Sequence, residues 1–114
     1  MIAASLLTER TTTSDTYIKM KEFTIKKMGT YRVSFDLRIG ATNCTAYGCI
    51  YKNGAAFGTE RSSTIIEYTN FQEDLDFTKE DLCQLYGHRG ATTVTLYIKD
   101  FILKASVYAS EVLD

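Results

Sequence analysis

One stretch of this sequence limits what the rest can become. Within Gly29–Gly40, Tyr31, Val33, Phe35, Leu37 and Ile39 share one parity, while Thr30, Arg32, Ser34, Asp36 and Arg38 share the other. Successive side chains of a strand point to opposite faces, so this reads as a β-strand with one apolar and one hydrated face, closed by glycine at both ends. Such a face needs a second apolar layer to cover it. The remaining segments supply that layer. Tyr17–Ile25, Ala46–Lys52, Ala55–Thr59, Ser62–Tyr68, Phe71–Phe77, Leu82–Tyr86 and Thr92–Leu103 are short and bounded by turn residues, and β-branched and aromatic residues recur among them. Together they make about eight strands at a spacing near ten residues, with no long helical period among them. The expected fold is all-β: an antiparallel β-sandwich, jelly-roll-like in its arrangement.

Local chemistry refines that expectation. Asn and Gly tolerate positive φ, so Lys52-Asn53-Gly54-Ala55 predicts a two-residue type I′ hairpin, followed by a strand with Phe57 turned inward. Two segments change parity midway. Ile18 and Met20 oppose Phe23 and Ile25, and Val94, Leu96 and Ile98 oppose Phe101 and Leu103 across Lys99-Asp100. One extra residue switches which side faces inward, so each segment predicts a β-bulge. Thr69-Asn70 and Thr78–Asp81 read as turns, and Gly87–Gly90 as a loop tip.

At 114 residues the chain fits one domain, residues 1–114. Residues 1–13 are a candidate N-terminal arm, beginning with an apolar start at Ile2–Leu7 that reads as an edge strand or a segment pairing with a neighbouring subunit. Residues 105–114 are a candidate docking tail. The 13 basic and 14 acidic side chains are scattered, which excludes the clustered basic footprint of a nucleic-acid binder. Lys19, Lys21, Lys26 and Lys27 read as a solvated strand face and turn. No apolar run reaches the length of a membrane span, and the N-terminus lacks the pattern of a signal peptide, so synthesis in the cytoplasm is expected.

Reactive groups are few. Cys44, Cys49 and Cys83 read as reduced, small hydrophobic residues, and the single His88 offers no metal-ligand partner at a suitable spacing. Glu73, Asp74, Asp76, Glu80 and Asp81 do not follow the spacing of a calcium loop. There is no Gly-x-Ser-x-Gly elbow and no Trp to stack a sugar in a hydrolase cleft, so neither an enzyme nor a cofactor is expected. The tyrosines Tyr17, Tyr47, Tyr51, Tyr68, Tyr86, Tyr97 and Tyr108 suit the core or rim of a sandwich, and outward ones suit a contact surface. The candidate interface comprises Ile2, Leu6, Leu7, Tyr51, Tyr97, Val107 and Tyr108.

The pieces Gly-Thr-Tyr-Arg-Val-Ser-Phe-Asp-Leu (29–37), Ile-Tyr-Lys-Asn-Gly (50–54), Tyr-Thr-Asn-Phe-Gln-Glu-Asp-Leu (68–75), Asp-Leu-Cys-Gln-Leu-Tyr (81–86) and Tyr-Ile-Lys-Asp-Phe-Ile-Leu (97–103) resemble small jelly-roll modules of tailed-bacteriophage virion proteins. Those modules occur as capsid decoration proteins, head fibres and tail-fibre domains, and are C1q/TNF-like in architecture. The resemblance spans roughly residues 17–104 and rests on turn glycines and core aromatics. It implies a non-enzymatic structural virion protein, a capsid decoration or cement protein that assembles as a homotrimer on a major capsid protein. The alternative is a carbohydrate- or host-receptor-binding module of a fibre or tail, using loops such as Ala41–Thr45 and Gly87–Gly90.

Overall fold

The computed structural model describes residues 2–105. The strands in chain order are β1 (Ile2–Leu6), β2 (Arg10–Thr12), β3 (Ile18–Thr24), β4 (Gly29–Ile39), β5 (Ala46–Lys52), β6 (Ala55–Ala56), β7 (Arg61–Ser63), β8 (Thr69–Phe77), β9 (Leu82–Arg89) and β10 (Leu96–Ala105). They form two antiparallel five-stranded sheets. The first runs β1-β10-β4-β8, with β2 also on β10; the second runs β3-β9-β5-β6, with β7 also on β5. The fold is a β-sandwich, as the alternating pattern implies, with ten strands among the described residues where about eight are expected.

The parity of β4 is the parity of the core: Tyr31, Val33, Phe35, Leu37 and Ile39 are all buried. Both expected bulges are present. In β10 the register slips between Lys99 and Ile102, and Asp100 takes a positive φ of 51°. That slip lets Leu96 and Ile98 on one side of it, and Phe101 and Leu103 on the other, all reach the core. In β3 the slip lies between Lys19 and Lys21 and turns Phe23 inward, where its ring stacks on Phe101 at 4.7 Å. Asn53 and Gly54 have φ of 53° and 85°, matching the positive values a type I′ hairpin demands.

Several boundaries differ from the sequence expectation. Of the 62–68 segment only Ser62 and Ser63 pair in a sheet, as part of β7, and Ile65 and Ile66 are exposed. Thr69-Asn70 is no turn: β8 begins at Thr69, which pairs with Leu37, because β4 is long enough to template it. The strand after the hairpin is two residues long, and Phe57 is 40% exposed, lying against Phe77 with the Lys52 ammonium 3.8 Å from its ring centre. Residues 92–95 precede β10 instead of belonging to it. Gly87, His88 and Arg89 belong to β9, paired with Gly48, Tyr47 and Ala46, and are not a loop tip. The backbone of Ile2–Leu6 pairs with β10, and that of Arg10–Thr12 continues along the same edge.

Two features hold the layers together. Gly48 and Gly87 pair directly across β5 and β9, leaving a bare spot on the inner face of the second sheet. A Cβ on Gly48 would lie 2.9 Å from Cε2 of Phe35, and one on Gly87 would lie 3.3 Å from the Tyr47 carbonyl oxygen and 3.4 Å from Cδ2 of Leu96, so first-sheet side chains reach into that spot. The open sides are tied through backbone atoms. At one side Lys21, 7% exposed, donates from its ammonium to the carbonyls of Leu6 and Thr8 where β1 gives way to β2. At the other, the Glu73 carboxylate accepts from the Thr59 amide, and Arg61 donates to the Gln72 carbonyl.

Candidate functional site

The outer face of the second sheet carries an aromatic row. Inward residues of β5 and β9 are small or aliphatic, so the opposite parity places Tyr47, Cys49 and Tyr51 beside Gln84, Tyr86 and His88 on the outside. Tyr47 and His88 face each other across the strands and stack at 4.6 Å with 16° between the planes. Tyr51 and Tyr86, diagonal neighbours, stack at 3.8 Å and 7°. From the Tyr47 row to the Tyr51 row is four residues along β5, about 14 Å.

Tyr17 joins the two stacks. It precedes β3 at one edge of the sheet, its ring meets His88 edge-on at 4.4 Å and Tyr51 at 5.8 Å, and its hydroxyl donates to the Glu60 carboxylate beyond β5. The preceding connector is anchored, because Arg89 donates from its amide to the Ser14 carbonyl and from Nε to that of Thr13. Cys49 points to this outer face yet is only 4% exposed, and its thiol donates to the Gly58 carbonyl. Burial, and then the hydrogen bond to Glu60, push the Tyr17 phenol well above its ordinary value. Burial likewise raises Tyr51 and Cys49.

Polar groups frame the row. Gln84 is buried, accepts from the Gly54 amide and donates from Nε2 to Oε1 of Glu22 at 2.8 Å. The same Glu22 oxygen accepts from Lys19 Nζ at 3.0 Å. The Gln84 and Lys19 hydrogen bonds hold the Glu22 carboxyl below the usual carboxylate range. His88 Nδ1 lies 2.7 Å from the Arg89 carbonyl oxygen. A carbonyl can only accept, so Nδ1 carries a proton.

The outer face of the first sheet is differently built. Tyr97 lies under the Arg38 guanidinium at 3.6 Å, and Tyr68 has Arg38 at 5.2 Å and Lys99 at 4.5 Å from its centre. The Tyr68 hydroxyl donates to Glu9. Cations already occupy these rings, which separates them from the row on the second sheet.

The interface residues expected from sequence do not converge. Tyr51 lies on the second sheet and Tyr97 on the first, while Leu6 and Leu7, 39% and 57% exposed, lie at the β1 edge. The backbone of Ile2 pairs with Lys104, and Val107 and Tyr108 lie outside the described residues. The carboxylates Asp74, Asp76 and Asp81 bond to Arg32, Thr30 and Thr78 respectively, and among the described residues no group of three His, Cys, Asp or Glu side chains converges as metal ligands would. Sequence reasoning missed His88, Tyr86 and Tyr47 as a set. Their signal was present: Tyr47-x-Cys49-x-Tyr51 and Gln84-x-Tyr86-x-His88 alternate against apolar or small inward residues.

No family model matches the sequence, and no curated protein matches it. Among solved structures, the chain is similar to a CBM4 carbohydrate-binding module, with a TM-score of 0.50 and 14% identity over 79% of this chain and 70% of that one. It is also similar to the carbohydrate-binding module CBM6cm-2 from Cellvibrio mixtus lichenase 5A, solved with cellotriose, with a TM-score of 0.55 and 10% identity over 93% of this chain and 99% of that one. At such identities the likeness is one of fold: a β-sandwich. The virion-module resemblance finds no support among these neighbours.

Proposed function

We propose that this chain is a non-catalytic carbohydrate-binding module whose site is the outer face of the β3-β9-β5 sheet. The observation that carries the reading is the continuous row Tyr47–His88–Tyr17–Tyr51–Tyr86, flanked by the polar groups of Glu22 and Gln84. Sugar rings present apolar C–H faces and a rim of hydroxyls. An aromatic row edged by fixed acceptors complements both, and its length of about 14 Å suits an oligosaccharide. The fold shared with carbohydrate-binding modules supports the reading. No contact among the described residues favours the trimeric shell-decoration role over it.

The test is affinity electrophoresis through gels containing soluble polysaccharides. Retention of the wild type is expected with at least one glycan. Tyr51→Ala or Tyr86→Ala should weaken it roughly three- to tenfold, from a stacking contribution of about 0.5–1.5 kcal/mol per ring. Tyr97→Ala, on the opposite sheet, should leave retention unchanged. Failure to retain the wild type on any glycan, or full retention of both site variants, refutes the reading.

A further inference from the structure

We propose that the aromatic face selects uncharged glycans and rejects acidic ones, an inference that rests on the carbohydrate reading above. The argument is an inventory of what the face offers an incoming group. Glu22 stands at the β3 margin, its Oε1 already accepting from Lys19 and Gln84 while Oε2 makes no bond to them. Glu60 stands at the opposite margin, bonded through Oε2 to the Tyr17 hydroxyl. A ligand lying across Tyr86, Tyr51 and Tyr17 therefore has a carboxylate on either side.

The cations near the face are committed. Lys19 bonds to Glu22, and Arg89, at the His88 end, donates from Nε and Nη1 to the carbonyls of Thr13 and Gly90. Arg61 pairs with Glu73 and lies toward the Phe71 ring of the first sheet. His88 directs its Nδ1–H to the Arg89 carbonyl, so that donor too is spent within the protein. The face thus presents the Glu22 and Glu60 carboxylates, while Lys19 and Arg89 are each bonded to a protein acceptor. Sugar hydroxyls can donate to such carboxylates, whereas a uronate or sulfate meets only cations that already hold protein acceptors, and two carboxylates repel it.

Matched pairs of polysaccharides isolate the charge from the backbone: hydroxyethylcellulose against carboxymethylcellulose, and fully methyl-esterified pectin against the same pectin de-esterified. The retention of wild-type protein would be measured on each at low salt. The neutral member is expected to bind about tenfold more tightly than its acidic partner, with the gap narrowing as salt rises and screens the repulsion. In Glu22→Gln/Glu60→Gln, which keeps an acceptor oxygen at both positions, the gap should narrow at low salt as well. Equal or tighter binding of the acidic member overturns the charge selection and leaves the carbohydrate reading standing. An undiminished gap in the double variant overturns the assignment to these two carboxylates. Absence of binding to both members of every pair removes the selection, and the same result across a wider set of neutral glycans removes the carbohydrate reading itself.

Discussion

Adding a single methyl group at Gly48 should strain the sandwich directly beneath the aromatic row. In Gly48→Ala the new Cβ would lie 2.9 Å from Cε2 and 3.2 Å from Cζ of Phe35. Carbon pairs sit comfortably at about 3.5–4.0 Å, so the ring has to retreat by roughly half an ångström. It has little room, since Phe35 is 3% exposed and its ring lies 5.8 Å from that of Phe71. Overpacking of this kind costs about 1–3 kcal/mol, against a gain of about 0.4–1 kcal/mol from stiffening the unfolded chain. The expected net loss is about 1–2 kcal/mol, a fall in Tm of roughly 4–8 °C for a domain of this size. Urea unfolding of the wild type, Gly48→Ala, Phe35→Leu and the double variant separates strain from other effects. Phe35→Leu alone should cost on the order of 1–2 kcal/mol by opening a cavity. In the double variant the alanine methyl enters that cavity, so the two losses should fall short of additivity by about 1 kcal/mol. Losses that add within about 0.5 kcal/mol, or a Gly48→Ala protein as stable as the wild type, refute the claim that Phe35 is what excludes a side chain there.

Two further outcomes follow from buried polar groups. Burial raises the phenols of Tyr17, Tyr31, Tyr51 and Tyr68, the last to about 12, and the thiols of Cys49 and Cys83, the latter also to about 12. The unfolded chain ionises these groups near pH 8.5 for thiols and 10 for phenols, so their contribution is complete below those values and is lost as pH rises through the folded values. Thermal unfolding midpoints measured across pH should therefore fall steadily above about pH 9, and a flat profile to pH 11 would count against it. Lys21→Met removes the ammonium that caps the Leu6 and Thr8 carbonyls and should cost about 2 kcal/mol. Hydrogen exchange should show the β1 amides opening first, and unchanged protection there would show that the side of the sandwich closes without Lys21.

The architecture was legible because its cause is local. A period of two is a property of neighbouring residues, and the parity reversals around Lys19–Lys21 and Lys99–Phe101 marked both bulges. Boundaries were less legible because pairing partners, not propensity, decide them. Thr69-Asn70 has the composition of a turn, yet β4 offers Leu37 and Asp36 as partners and the segment extends. Ile65 and Ile66 have strand propensity without a partner for both, so they stay outside the sheets. The site was half legible. Tyr51 stood out as an outward tyrosine, but the flanking glycines of Gly87–Gly90 disguised His88 as a turn residue. Only the pairing of β9 with β5 shows that Gly87 lies opposite Gly48 on the inner face beside Leu96, and that His88, on the other parity, faces Tyr47.

The two outer faces differ in what they leave unspent, and that difference is why one sheet reads as a site. On the first sheet, partners across the register satisfy one another: Arg32 with Asp74, Thr30 with Asp76, Asp36 with Asn70, and Arg38 over Tyr97. Those exposed pairs are each worth a fraction of a kcal/mol and chiefly fix register along β4, β8 and β10. On the second sheet the rings pack on rings, which organises them and leaves each one partly exposed. The Gly48–Gly87 pair lies on the inner side of the same strands, where Phe35 and Leu96 press into the sheet. A close core contact thus supports the stretch of sheet on which the aromatic side chains must hold their spacing.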